Sequence, residues 1–266
     1  MMITHPLAST GISVSALGLG TVKFGRNQSV KYPTSFDLPS DEAILQLLDL
    51  AREEGLNLLD TAPAYGTSEE RLGNLLGSRR EEWMIVSKAG EEFHGDLSSF
   101  DFSPDSIRKS AERTLRRLRT DRVECLLLHS DGNDLEVLDH SGAVEVLFEL
   151  KASGKIRAAG ISTKTVAGGL RAVELGLDAV MVTYNPWVRD EEPVLDAAAD
   201  QGTAVFLKKA LGSGWFGGDS PSADPVQTAF RFVFEHPATT AAIVGTINPA
   251  HLRDNCRALR EALGEN

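Results

Sequence analysis

The chain has only two cysteines in 266 residues, Cys125 and Cys256, and they lie far apart. A disulfide framework or a cysteine zinc site needs short, organised spacings, so neither is expected, and both thiols read as small buried hydrophobes. The six histidines show no His-x-His or His-Glu-x-x-His pattern, which leaves no local signature for a metal. No stretch approaches the ~18 consecutive apolar residues of a membrane span. The N-terminal MMITHPLAST has no basic segment followed by an apolar one, so a soluble protein of the cytoplasm is expected. Positive charge is scarce too: 27 Lys and Arg face 38 Asp and Glu, for a formal net charge of −11. That balance opposes general binding to nucleic acid or to an anionic membrane, because phosphate contacts need clustered cations. The spacing Gly-x-Gly-x-x-Gly is also missing, since LGLGTVKFG offers Gly18, Gly20 and Gly25 instead.

What is present is an even spread of apolar and charged residues, 42% and 24% of the chain, enough to bury a full core. Short apolar runs predict strands over 17–21, 56–59, 83–87, 123–128, 156–161, 179–183, 204–207 and 241–244. Each is followed by apolar residues at three- and four-residue spacing. Ser40 caps the first such helix, with Ile44, Leu47, Leu48 and Ala51 inward; Ser68 caps the second. The fourth carries Val144, Leu147 and Phe148, and the last runs through Leu252, Cys256, Leu259 and Leu263. Segment 22–39 is too long for an ordinary connection and reads as a loop with a binding or lid role, and 89–102 reads as a second long loop. Eight strand-then-helix units with no linker between them predict an α/β fold of the (β/α)8 TIM-barrel type. The chain is expected to be a single domain over 1–266, with an N-terminal β-hairpin over 3–14 plugging the barrel's bottom.

Polar residues stand where three of these apolar runs end. Asp60 closes the second strand and Tyr65 follows in the turn; Lys88 ends the third and His129 the fourth. Singly, each has an ordinary explanation as a cap, a loop aromatic, a solvated charge or a structural histidine. On the same end of consecutive parallel strands, all four converge on one mouth. A tyrosine, with an ordinary pKa of about 10, is a poor proton donor unless a cation stabilises its phenolate, and Lys88 is the candidate cation.

These residues carry a resemblance. DTAPAYG (60–66), IVSK (85–88), LLLHSDG (126–132), GIS (160–162), YNP (184–186) and IVGTINPAHLRDN (243–255) together resemble the aldo-keto reductases, barrel enzymes that use a nicotinamide cofactor without a Rossmann fold. The resemblance covers nearly the whole chain. It implies carbonyl reduction by hydride transfer, with Asp60, Tyr65, Lys88 and His129 as the catalytic set: Tyr65 as general acid, Lys88 favouring its phenolate, Asp60 holding Lys88, and His129 orienting the carbonyl.

It further implies a cofactor lying across the later strands, touched by Thr21, Asp60, Ser162, Thr163, Lys208, Leu211, Ser213, Gly214, Gly245, Thr246, His251 and Asn255. Thr163 departs from the Ser-Asn pair common in the family, Met181 stands where Gln is frequent, and Lys208 takes the place of a stacking Tyr. Gly245 and His251 occupy positions that usually bring Lys and Arg to a 2′-phosphate. NADP (as NADPH) is the expected cofactor, with NAD possible. The substrate is a small-molecule carbonyl entering a mouth with aromatics at Phe24, Tyr32, Phe36, Phe93, Phe100, Trp187, Trp215 and Phe216. That mouth is expected to be open, because the chain stops at Asn266 without a long C-terminal loop. A monomer is expected. The alternatives are an NAD-dependent aldose or alcohol dehydrogenase of the same fold, a Schiff-base lyase using Lys88 or Lys208, and a cofactor-sensing binding subunit.

Overall fold

The computed structural model describes residues 2–30, 35–212 and 224–264. It opens on an antiparallel hairpin, β1 (Thr4–Pro6) with β2 (Ser13–Ser15), in the register Thr4↔Ser15 and Pro6↔Ser13. Eight parallel strands follow: β3 (Leu17–Gly20), β4 (Leu58–Asp60), β5 (Met84–Ala89), then, past a second hairpin of β6 (Glu91–His94) and β7 (Leu97–Phe100), β8 (Val123–His129), β9 (Ile156–Ser162), β10 (Ala179–Thr183), β11 (Ala204–Lys208) and β12 (Thr239–Val244). β12 pairs back onto β3, closing the barrel. The chain is therefore the (β/α)8 barrel with an N-terminal hairpin that the alternation of short strands and amphipathic helices predicts.

Helices α1 (Val22–Gly25), α2 (Asp41–Glu53), α3 (Ser68–Leu76), α4 (Pro104–Leu118), α5 (Asp134–Asp139), α6 (Ala143–Ala152), α7 (Val166–Glu174), α8 (Glu192–Gln201), α9 (Pro225–Glu235) and α10 (Pro249–Ala262) fill the connections. Among the described residues none of them is long and apolar enough to cross a membrane. Successive strand residues point to opposite faces, and this divides the apolar residues into two layers. Leu59, Ile85, Leu126 and Leu128 turn outward and pack with the helices. Leu58, Val86, Cys125, Leu127, Met181 and Phe206 turn inward and fill the barrel, joined by Leu7 and Val14 from the hairpin. Those last two, fully buried, are the plug.

Four expectations need correction. Segment 89–102 is a β-hairpin rather than a loop: Glu91 pairs with Phe100 and His94 with Leu97 around Gly95, whose φ of 61° suits a tight turn. Segment 22–39 begins with α1, and its Phe24 is fully buried in the core instead of lining a mouth. The fourth helical stretch is two helices, separated at Gly142 with φ 79°, and Phe148 on the second of them is 39% exposed. Ser40 does cap α2, its Oγ accepting from Ala43 N at 3.1 Å, but Ser68 does not cap α3. Its hydroxyl instead donates to the Thr21 carbonyl at 3.0 Å.

Candidate active site

The period of two that fills the barrel also builds the site. Two residues beyond the inward-facing Leu58, Val86, Leu127 and Phe206 come Asp60, Lys88, His129 and Lys208, the next positions on the same face. An apolar layer is thus capped by a polar one at the carboxyl ends of the strands. Lys88, 1% exposed, gives its ammonium to Asp60 Oδ1 and to the Thr61 carbonyl at 3.0 Å. Asp60 is 4% exposed. A cation so buried is tolerable only when paired and hydrogen-bonded, and here it is both. The Tyr65 hydroxyl lies 3.4 Å from Asp60 Oδ2, and Lys88 Nζ is 4.8 Å from the centroid of the Tyr65 ring. The Tyr65 and His129 rings meet edge to face, 6.3 Å between centroids. All four expected catalytic side chains therefore stand together.

Thr21 stands behind them. Its Oγ1 donates to the Asp60 carbonyl at 2.9 Å and lies 2.8 Å from Ser68 Oγ, so its hydroxyl braces β4 from a fully buried position. His129 Nδ1 lies 2.7 Å from Glu91 Oε2 on β6, a contact nothing in the sequence singled out. Burial holds the imidazole below its ordinary pKa against the pull of Glu91.

Ser162, Thr163 and Lys208 form a second group. Lys208 Nζ donates to Ser162 Oγ at 3.1 Å and to the Thr163 carbonyl. Burial brings this lysine down to about 8, although Glu191 opposes the shift. Glu191 accepts from Thr183 N at 2.7 Å and from Thr163 Oγ1 at 3.3 Å. The β9–α7 loop is pinned from below by Asp134, whose Oδ2 receives the amides of Lys164 and Thr165 at 2.9 and 2.7 Å. Met181, in the barrel interior, offers no amide to this group.

Past β11, Lys209 sits in the left-handed region at φ 57°, its carbonyl held by Asn185 Nδ2 at 3.0 Å, and Leu211 packs against the core. Ser213, Gly214, Trp215 and Phe216 lie outside the described residues, as does Tyr32. Gly245 and Thr246 join β12 to α10, where Thr246 Oγ1 accepts from Asn248 N at 3.0 Å and Asn248 Oδ1 from Ala250 N at 2.9 Å. His251 is exposed on the first turn and Asn255 half-buried on the next.

The two long segments meet over the mouth. The Arg26 guanidinium lies 3.4 Å from the Phe93 ring centroid, Ser29 Oγ donates to the Asp96 carbonyl at 3.3 Å, and Phe100 stacks on Phe102. Phe36 lies beneath Lys23 Nζ, 5.0 Å from its ring centroid, and Trp187 is 39% exposed. A cavity of about 470 Å³ opens beside Lys164, Thr183, Trp187, Glu191 and Lys209. A larger one, about 550 Å³, lies at the opposite end of the barrel near His5, Asp178 and Thr240, and neither Asp60, Tyr65, Lys88 nor His129 lines it. Among the described residues no group of three or more His, Cys, Asp or Glu is gathered to hold a metal.

Glu91, Asp134 and Glu191 are the residues that the sequence did not disclose. A Gly-Asp turn between two four-residue runs was the available signal for the hairpin that carries Glu91. Asp134 and Glu191 act across distances in sequence for which no local pattern exists.

A profile described as the aldo/keto reductase family matches residues 16–222. The chain is similar to D-threo-aldose 1-dehydrogenase of Pseudomonas sp, at 31% identity over 254 residues, covering 84% of this chain and 74% of the relative. It is similar to the NADH-specific methylglyoxal reductase of Escherichia coli strain K12, at 30% identity over 224 residues, covering 79% and 67%. A solved structure from Pseudomonas aeruginosa, whose own assignment as an aldo-keto reductase is provisional, superposes with a TM-score of 0.88 at 50% identity, covering 98% of this chain and 95% of that one. The chain spans about half to three quarters of the length of the first curated relatives it matches. With the barrel, the motifs and the matched profile in agreement, the chain belongs to the aldo/keto reductase family of nicotinamide-dependent oxidoreductases.

Proposed function

We propose that this chain reduces aldehyde or ketone carbonyls to alcohols by hydride transfer from NADPH, with Tyr65 as the general acid. The observation that carries this reading is Lys88, 1% exposed, bonded to Asp60 and 4.8 Å from the centroid of the Tyr65 ring. Carbonyl reduction builds negative charge on oxygen, which a positioned donor must stabilise and protonate. A phenol does this at neutral pH only where the phenolate is stabilised, and the buried ammonium supplies that stabilisation. Asp60 holds the ammonium in place through a charge-assisted hydrogen bond. The working unit is read as one barrel domain over 1–266 acting as a monomer.

The bound reduced nicotinamide supplies the hydride. For its carboxamide the chain offers donors at one spot, the Ser162 hydroxyl and the Lys208 ammonium. Toward the adenosine end, the start of α10 brings backbone amides and the positive end of the helix dipole, with Asn255 one turn on. Neither Gly245 nor the exposed His251 brings a permanent cation to a 2′-phosphate, so the preference for NADP is expected to be small. That observation supports NAD as the second reading, and the relative named as an NADH-specific methylglyoxal reductase points the same way.

The test is turnover of a panel of aliphatic, aromatic and hydroxylated aldehydes, followed by oxidation of NADPH and of NADH. Reduction of several of them with either cofactor supports the reading, and more efficient use of NADH would transfer it to NAD. No oxidation of either cofactor with any carbonyl would overturn it.

A further inference from the structure

When Tyr65 ionises, negative charge is left on its oxygen, and the charged groups around it do not act alike. Asp60 from β4 lies 3.4 Å from the hydroxyl and opposes that charge, Lys88 from β5 favours it, and His129 from β8 meets the ring edge to face. Because Lys88 is bonded to Asp60, these two charges largely offset one another at the phenol. Other charged groups nearby are turned elsewhere. Glu91 from β6 faces His129, and Lys208 from β11 is bonded to Ser162 and Thr163. Lys23 on α1 lies over Phe36, while on α3 Glu69 meets Ser87 and Arg71 meets Asp41. A further cation stands at the turn itself: Arg26, the C-terminal cap of α1.

Arg26 joins three pieces of chain. Its Nη1 donates to the Ala64 carbonyl at 3.1 Å, its Nε to the Gln28 carbonyl at 2.9 Å and its Nη2 to the Ser29 carbonyl at 3.0 Å, while the guanidinium covers the Phe93 ring. The first of these bonds reaches the peptide that leads into Tyr65. The N–H of that peptide goes to the Ala62 carbonyl at 3.0 Å, so both of its polar ends are fixed. Among the described residues every hydrogen bond of Arg26 goes to a carbonyl and none to a carboxylate. Its charge is therefore not offset by contact, as that of Lys88 is. Burial lowers the proton affinity of this arginine, and Glu91 and an ionised Tyr65 both raise it. Such an influence is mutual: if the phenolate favours the guanidinium, the guanidinium favours the phenolate. Arginine keeps its charge across the range in which a tyrosine titrates.

We infer that Arg26 is a positioning residue for the proton donor: its fork fixes the Ala64–Tyr65 peptide, and its charge stabilises the phenolate that remains once Tyr65 has given up its proton. The inference rests on Tyr65 being the general acid. Arg26 touches neither the carbonyl nor the cofactor and acts through Tyr65. Substitution separates its two contributions. Arg26→Lys keeps the charge and gives up the fork, whereas Arg26→Gln keeps a hydrogen-bond donor and gives up the charge.

Tyrosine labelled with 13C at Cζ reports ionisation directly, and the chain has only Tyr32, Tyr65 and Tyr184, with Tyr65 assigned by its loss in Tyr65→Phe. In the protein without cofactor, the titration midpoint of Tyr65 should rise by about half a unit or more in Arg26→Gln and by less in Arg26→Lys. Tyr184, which burial and its hydrogen bond to Glu192 push up to about 12, should keep its native signal in both variants and so shows that they are folded. In steady-state reduction, the fall of kcat/KM at high pH should move upward by the same amount in Arg26→Gln, with kcat near neutral pH lower by about two- to tenfold. An unmoved Tyr65 midpoint in folded Arg26→Gln overturns the inference. An equal rise in Arg26→Lys does so too, because the charge would then have no part in it. If the midpoint moves as expected but the native protein reduces no carbonyl, the coupling of Arg26 to Tyr65 stands and the reading of Tyr65 as general acid fails.

Discussion

Lys88 Nζ lies 4.8 Å from the centroid of the Tyr65 ring while the same ammonium is bonded to Asp60 on the neighbouring strand. One buried cation therefore has two neighbours, a carboxylate that holds it in place and a phenol ring beside it. Register makes the arrangement possible. β4 and β5 pair Asp60 with Val86, so the inward-facing Lys88 rises one step above its partner's level and its long stem reaches across.

Separating the ion pair should cost more than removing it. Lys88→Met leaves the Asp60 carboxylate buried and uncompensated, and a loss of about 3–5 kcal/mol is expected. The double variant Lys88→Met with Asp60→Leu should regain a good part of that loss, though neither variant should retain turnover. Denaturant unfolding of the four proteins reads the coupling. Losses that simply add would show that the pair contributes no mutual stabilisation.

The turn that carries Tyr65 is set by two glycines in contact. A Cβ on Gly25 would meet Ser68 N at 2.2 Å and the Tyr65 carbonyl at 2.5 Å, and Gly66, at φ 62°, would press one into the Gly25 carbonyl at 2.2 Å. Both obstacles are backbone, so the turn itself has to shift. Gly25→Ala should lower kcat by about tenfold to a hundredfold, since small displacements of a catalytic group are costly. Cofactor affinity should hold, because Ser162 and Lys208 stand on other strands. Loss of cofactor binding equal to the loss of kcat would point to general unfolding instead.

Glu69 on α3 is fully buried, with Ser87 Oγ and Thr114 Oγ1 each 2.8 Å from its Oε1 and Arg117 at 3.5 Å from Oε2. Burial raises its pKa more than these partners lower it. The folded chain therefore holds this proton more tightly than the unfolded one, and stability falls as pH rises from the ordinary carboxyl value through the raised one. Glu69→Gln keeps an oxygen for both hydroxyls and carries no charge. Unfolding midpoints in urea at about pH 5 and about pH 8 should lie closer together in Glu69→Gln than in the native chain. A wider gap in the variant would contradict the assignment.

The sequence discloses the barrel because its two periods are local: alternation within each strand, and three- and four-residue spacing in each helix. Asp60, Lys88 and His129 are legible for the same reason, as the first polar residues after apolar runs of known direction. Phe24 is buried where the sequence places it at the mouth, because an isolated aromatic does not show which way a short helix turns. Ser68 looked like a cap, yet a hydroxyl shared with Thr21 depends on how β3 and α3 meet, a relation 47 residues apart. Glu91 was hidden within an apparent loop. Its partner His129 is 38 residues away, and only the folding of 91–100 into a hairpin brings the two together.

The most direct test of the account is Tyr65→Phe, measured two ways on the same folded protein. Fluorescence titration should give a dissociation constant for NADPH within about twofold of the native value, while kcat for any aldehyde the native enzyme reduces should drop by at least about a hundredfold. Near-native reduction by the Phe variant would contradict the account, because the proton would then be coming from a group other than the phenol beside Lys88.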